Sequence, residues 1–199
     1  MESGRFDVGS PVTADGPWQT VLLVGFMASG KTSVAALLSD RLGWPVRDVD
    51  RLLEEEEGLT VREIFETRGE PWFREREAAL TRRLLGERRV VLAPGGGWAA
   101  APGRLDELPE HVLSVWLRVG AEEAIRRAGD APGSRPLLAT GGPGDAKALA
   151  AVSDLLRERE RWYRRAALHL DTSRATPLEV ADSILNHMAR RQDADGRIQ

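Results

Sequence analysis

The strongest constraint on the fold of this chain is the stretch Gly25-Phe26-Met27-Ala28-Ser29-Gly30-Lys31-Thr32. It follows the apolar run Val21-Leu22-Leu23-Val24 and leads into a segment, Thr32 to Leu42, that reads as a helix. A G-x-x-x-x-G-K-[ST] pattern between a strand and a helix is the Walker A arrangement. Chemistry explains the residue types. Gly25 and Gly30 let the backbone turn sharply and come close to a ligand, where a Cβ would obstruct. The successive N–H groups and the helix start make a concave anion site. Lys31 adds a cation for the β and γ phosphates, and the Thr32 hydroxyl suits Mg²⁺. The chain has 20 glycines but only two lysines, Lys31 and Lys147, so chance alone would produce the pattern in about two of a thousand such sequences. Phosphate binding follows from this loop; the identity of the phosphate acceptor does not.

At 199 residues the chain is one domain of ordinary size. A net charge of −3 gives no global attraction to nucleic acid or to an anionic membrane. The absence of cysteine excludes disulfides, a thiolate zinc site and a cysteine nucleophile. His111, His169 and His187 show no metal-ligand spacing and are expected at strand or helix boundaries. The start, residues 1–17, is polar, lacks the features of a signal peptide and reads as a flexible leader. No apolar run approaches the ~20 residues needed to span a bilayer. These features predict a cytoplasmic, monomeric protein with its domain over residues 18–189 and a polar tail over 190–199.

Short apolar runs alternate with longer amphipathic segments, the pattern of an α/β fold with a parallel sheet covered by helices. The expected strands are Val21–Val24, Val46–Val49, Val90–Ala93, Val112–Leu117 and Leu168–Leu170. On the second, Asp48 and Asp50 are two apart and would project together from its C-terminal end, where ligands bind in open α/β sheets. One carboxylate would orient hydrated Mg²⁺ and the other would accept a proton from, or position, a substrate hydroxyl; an acidic loop that caps the following helix is an equal reading. Glu54 to Glu57 reads as a solvated acidic face, and Thr60 to Glu63 as a capping box. A helix is expected to open at Phe73, with Arg74 and Glu77 three apart on one face. On spacing alone a surface ion pair is favoured over the sharper reading, an arginine held in place by a glutamate to grip a carboxylate. Gly95-Gly96-Gly97 closes the third strand and suits close backbone approach. The irregular stretch 128–144 reads as a lid carrying Arg135. The arginine-rich helix that follows, with Arg157, Arg159, Arg161, Arg164 and Arg165, mostly exposes its charge. Val180, Ile184 and Met188 form the core stripe of a last helix.

Taken together, the ordered motifs resemble the shikimate kinase family over about Val21 to Met188. They are Gly-Phe-Met-x-Ser-Gly-Lys-Thr, Asp-x-Asp, Phe-Arg-x-x-Glu, Gly-Gly-Gly, Arg-Pro-Leu-Leu, Arg-x-x-x-Tyr and Asp-Thr-Ser-Arg. The resemblance implies a three-layer P-loop NTPase fold, with a five-stranded parallel sheet in order 2-3-1-4-5 and a mobile lid. It implies phosphorylation of the shikimate 3-hydroxyl by ATP with Mg²⁺. Lys31, Asp50 and Arg135 match the family's catalytic groups. Ala28, Ser29, Gly30, Lys31, Thr32 and Ser33 match its nucleotide loop, joined by Arg135, Arg174 and, with a lid about one residue longer than usual, Arg127. Asp50, Arg74, Glu77, Gly95, Gly96, Gly97 and Arg159 match its acceptor site. Thr32 and, through water, Asp48 match the metal's partners. Three departures stand out. Ala28 replaces a glycine, which is tolerable at negative φ and costly at positive φ. Trp98 is large for the edge of the acceptor cleft, and Ala175 stands where a second arginine near adenine is common. Gluconate or another polyol as acceptor, and a binding module without phosphoryl transfer, are the rival readings.

Overall fold

A computed structural model describes residues 16–129 and 146–195. Most of the expected leader and lid, Arg135 included, and the end of the tail lie outside the described residues. Five strands, β1 (Thr20–Val24), β2 (Val46–Asp48), β3 (Val90–Ala93), β4 (Val112–Arg118) and β5 (Leu168–Asp171), form one parallel sheet. Their order is β2-β3-β1-β4-β5, the order that the family resemblance implied.

The central strand explains its own sequence. All five residues of β1 are buried, because helices cover both faces of the sheet. Successive side chains alternate between those faces. Leu22 and Val24 join a layer with Phe73, Trp98 and Tyr163, whereas Val21 and Leu23 join one with Val34, Leu38 and Ile184. The second layer is built by α1 (Lys31–Leu42) and α7 (Pro177–Asp195). The first holds α2 (Val49–Glu57), α3 (Val61–Arg68) and α4 (Glu70–Leu84). A third apolar cluster joins Phe26 of the phosphate loop to α5 (Ala121–Gly129) and α6 (Ala146–Tyr163). No described helix is long and apolar enough to cross a membrane.

Local signals explain most element boundaries. Thr60 and Glu63 form a reciprocal capping box at the start of α3, with the Thr60 amide donating to Glu63 Oε2 at 2.7 Å. Three expectations need correction. The fourth helix begins at Glu70 rather than Phe73, because Pro71 in its first turn has no amide to leave unsatisfied. The acidic run is not simply a solvated face. Glu54 accepts from the Val61 amide at 2.8 Å, Glu57 pairs with Arg68 at 2.9 Å, and Glu56 meets Arg83 at 3.2 Å, so the run ties α2 to α3 and α4. His169 lies within β5 and His187 within α7, so only His111, just before β4, stands at a boundary.

The stripe on α7 is buried as its spacing predicts, with Val180, Ile184 and Met188 at most 3% exposed. Ile184→Ala is expected to lower unfolding free energy by about 2–5 kcal/mol through lost burial and a residual cavity. Leu178→Ala, on the same helix at 46% exposure, should change it by less than about 0.5 kcal/mol. Urea denaturation of the two variants checks both figures.

Candidate active site

The phosphate loop joins the C-terminal end of β1 to α1. Gly25 sits at φ 148°, and a Cβ there would stand 2.5 Å from the Leu117 carbonyl oxygen on β4, so no other residue fits. Gly30 precedes α1 at φ 92° without capping it by a side chain, and the helix's first turn holds no acidic residue. Its leading amides are therefore available to an anion. Lys31 Nζ donates to the carbonyl oxygens of Gly25 at 2.9 Å and Phe26 at 3.0 Å, which holds the ammonium over its own loop. Thr32 and Ser33 are exposed at the helix start, while Ser29 is buried. Ala28 adopts φ 58°, the left-handed region, so the costly case foreseen for this position is the one that occurs.

Asp48 and Asp50 do reach the same end of the sheet, but not by strand alternation. The strand stops at Asp48 and α2 starts at Val49, which is buried. Asp48 caps that helix, its carboxylate accepting from the Arg51 amide at 3.3 Å. Asp50 lies in the helix's first turn and turns toward Gly95. Asp is a favoured cap, so the capping role and the site location coincide here.

Arg74 and Glu77 are not the surface pair that spacing suggests. Glu77 is 1% exposed and accepts from Arg74 Nη1 at 2.8 Å. Glu70 holds the guanidinium from the other side at 3.2 Å, and the rings of Phe65 and Phe73 lie beneath it at 5.8 and 5.4 Å. Burial pushes the Glu77 carboxyl above its ordinary pKa, against the opposing pull of the Arg74 charge and hydrogen bond. For Arg74, burial acts to lower the pKa, but the charges and hydrogen bonds of Glu77 and Glu70 together outweigh it and leave it raised. A fixed, charged guanidinium is the result.

The three glycines bring these parts together. At Gly95 a Cβ would overlap Glu77 Oε1 and stand 2.7 Å from Asp50 Oδ1. At Gly96 it would stand 3.2 Å from the Gly25 carbonyl oxygen and 3.3 Å from the Met27 amide, both in the phosphate loop. At Gly97 it would meet the Arg74 guanidinium at 2.8 Å. Tyr163, at the end of α6, donates its hydroxyl to the Gly96 carbonyl and is completely buried, which raises its pKa to about 12. Arg159, one turn earlier, lies over the Phe26 ring at 5.6 Å and, with Arg74, acts on Tyr163 electrostatically.

On the opposite flank, Arg127 donates to Glu123 at 2.6 Å, to the Thr172 carbonyl at 2.5 Å and to the Ala28 carbonyl at 3.4 Å. It thereby ties α5 to the phosphate loop and to the end of β5. Arg174 is exposed just beyond β5. Trp98 is buried rather than exposed at an edge. The short 3₁₀ turn Trp98–Ala100 directs its ring into the core at 4% exposure, with Arg104 stacked at 5.7 Å. Sequence reading left Glu70, Tyr163 and Thr172 without roles. Glu70, four residues before Arg74, was legible by spacing; the other two act through contacts remote in sequence.

An alanine in the left-handed region costs about 1 kcal/mol or more, which glycine avoids. Ala28→Gly is therefore expected to raise unfolding free energy by about 0.5–1 kcal/mol, and Ala28→Val to lower it, as read by denaturant titration.

Comparisons with known proteins agree with this geometry. A family model described as shikimate kinase matches residues 27–189. A shikimate kinase from Moorella thermoacetica is 42% identical over 164 residues, spanning 82% of this chain and 91% of its own length. One from Synechococcus sp. (strain JA-3-3Ab) is 37% identical, over 86% of this chain and 88% of its own. The solved structure of a shikimate kinase from Acinetobacter baumannii in complex with shikimate superposes with a TM-score of 0.79 at 30% identity, over 92% of this chain and 99% of its own. A gluconokinase from Sinorhizobium meliloti 1021, at 20% identity and a TM-score of 0.56, shares the fold. The chain belongs to the shikimate kinase family.

Proposed function

We propose that this chain transfers the γ-phosphoryl group of ATP to the 3-hydroxyl of shikimate, giving shikimate 3-phosphate and ADP on the route to chorismate and the aromatic amino acids. The observation that carries this reading is the Arg74–Glu77 pair, with Glu77 buried and Arg74 partly exposed against the Gly95–Gly97 backbone beside the phosphate loop. A planar carboxylate suits guanidinium forks, and Arg74 and Arg159 are the pair assigned to grip it. Glu77 and Glu70 orient Arg74, while the bare glycine backbone lets a ring pack closely.

The hydroxyl oxygen forms the new bond to phosphorus as the bond to the β–γ bridging oxygen breaks, and the hydroxyl proton passes to Asp50. Positioning and charge stabilisation dominate, since phosphoryl transfer has a loose transition state. The loop amides and Lys31 hold the phosphates, and Arg135 is assigned to the transferring group on its motif alone. Arg127 and Arg174 are assigned to the base side of the nucleotide. The donor set suits Mg²⁺, a hard cation that takes oxygen ligands: the Thr32 hydroxyl is exposed and Asp48 is partly exposed. When bound, the ion offsets phosphate charge; Thr32 would ligate it and Asp48 would hold its water shell.

ADP release coupled to a reporter should show saturable turnover with shikimate. Turnover with gluconate and none with shikimate above the ATPase background would overturn the reading. Arg74→Lys and Arg159→Lys are each expected to raise the shikimate KM on the order of 10–100-fold with little change in the ATP KM. Asp50→Asn should lower kcat on the order of 100-fold with a smaller effect on either KM.

A further inference from the structure

At the opposite pole of the sheet from the phosphate loop, the N-terminal ends of the strands border a cleft of ≈ 550 Å³. Its walls come from the end of α1, the Trp44–Pro45 turn, Arg47 on β2, and the segment Glu87-Arg88-Arg89 that leads into β3. Three arginines and one glutamate line it, so the lining carries a formal excess of two positive charges (three minus one). That local balance runs against the whole chain, whose net charge is −3.

The basic wall is also held in place. The Thr20 hydroxyl donates to the Glu87 carbonyl at 2.9 Å, and the Arg89 amide donates to the Gln19 carbonyl. Arg88 Nη1 donates to the Gln19 side-chain oxygen at 2.8 Å. Glu87 Oε2 is engaged by Arg47 Nε at 3.0 Å, and that contact leaves both terminal nitrogens of Arg47 over. Arg89 itself adopts φ 58°. Among the described residues only one other non-glycine residue has positive φ, and that is Ala28 in the phosphate loop. Glycine or asparagine would accept this backbone at lower cost, so an arginine at this position costs stability and brings a positive charge to the cleft wall.

We propose that this cleft is a second anion site, which takes a small polyanion of two or more negative charges through Arg47, Arg88 and Arg89. The chemistry fits phosphate and carboxylate groups alike, since both match guanidinium forks. The site is distinct from the phosphate loop, which follows β1 at the opposite, C-terminal edge of the sheet.

Calorimetric titration of the full chain tests this, with pyrophosphate and citrate as separate probes at matched ionic strength and with saturating ADP and Mg²⁺ to fill the phosphate loop. At least one probe should bind with a sub-millimolar Kd. Binding of pyrophosphate alone assigns a phosphorylated ligand, and binding of citrate alone assigns a carboxylate. Arg89→Gly, which relieves the backbone strain and so should fold at least as well, is expected to weaken binding tenfold or more. Glu87→Gln, which removes the competing carboxylate, should tighten it. Lys31→Ala should leave cleft binding unchanged. Absence of binding by both probes overturns the proposal, as does unchanged binding in Arg89→Gly or loss of binding in Lys31→Ala.

Discussion

Three side chains fewer than expected at Gly95, Gly96 and Gly97 are what let the rest of this site exist. Each missing Cβ makes room for a different partner: the carboxylates of Glu77 and Asp50, the backbone of the phosphate loop, and the guanidinium of Arg74. Those partners come from α4, from the first turn of α2 and from the segment after β1, which are far apart in the chain. The glycines follow β3, and β3 lies beside β1 in the sheet, so the register of two central strands sets where the meeting point falls. Tyr163 then secures the Gly96 carbonyl from α6.

A half-buried ion pair such as Arg74–Glu77 is a weak contributor to stability, since the cost of removing the Glu77 charge and part of the Arg74 charge from water offsets much of their attraction. Its value here is positional. Glu77 is buried enough that its pKa rises, yet Arg74 keeps a hydrogen bond to it and is braced by Glu70 and by two aromatic rings. An arginine fixed in this way has already lost its conformational freedom, so less would be lost on engaging a further partner. The same logic extends to Ala28. Its left-handed backbone is a cost borne inside the phosphate loop, and its carbonyl is one of the contacts made by Arg127.

Much of the fold was legible from the residues. The five apolar runs became the five strands within a residue at each end, because a parallel sheet buried on both faces demands continuous apolar segments. The capping box at Thr60 and the stripe on α7 were legible for similar local reasons. The site was less so. Asp48 and Asp50 were assigned to one side by a strand rule that fails, because the helix starts between them. Arg74 and Glu77 looked like surface charges because spacing along a helix says nothing about what covers it. Trp98 looked like an edge residue because it directly follows the glycines, whereas it sits in a short 3₁₀ turn and is buried.

By itself, the sequence determined the alternation of strands and helices, the phosphate loop and, through its ordered motifs, the family. These depend on local conformational preference and on residue types whose chemistry is used within a few positions of one another. Only the tertiary structure decided that Glu77 is buried beneath Arg74, that the acidic run ties three helices together, that Ala28 is strained, and that three arginines line one cleft at the far pole of the sheet. Burial and convergence arise from elements distant in sequence, and the strand order that brings them together becomes visible only when the sheet is assembled.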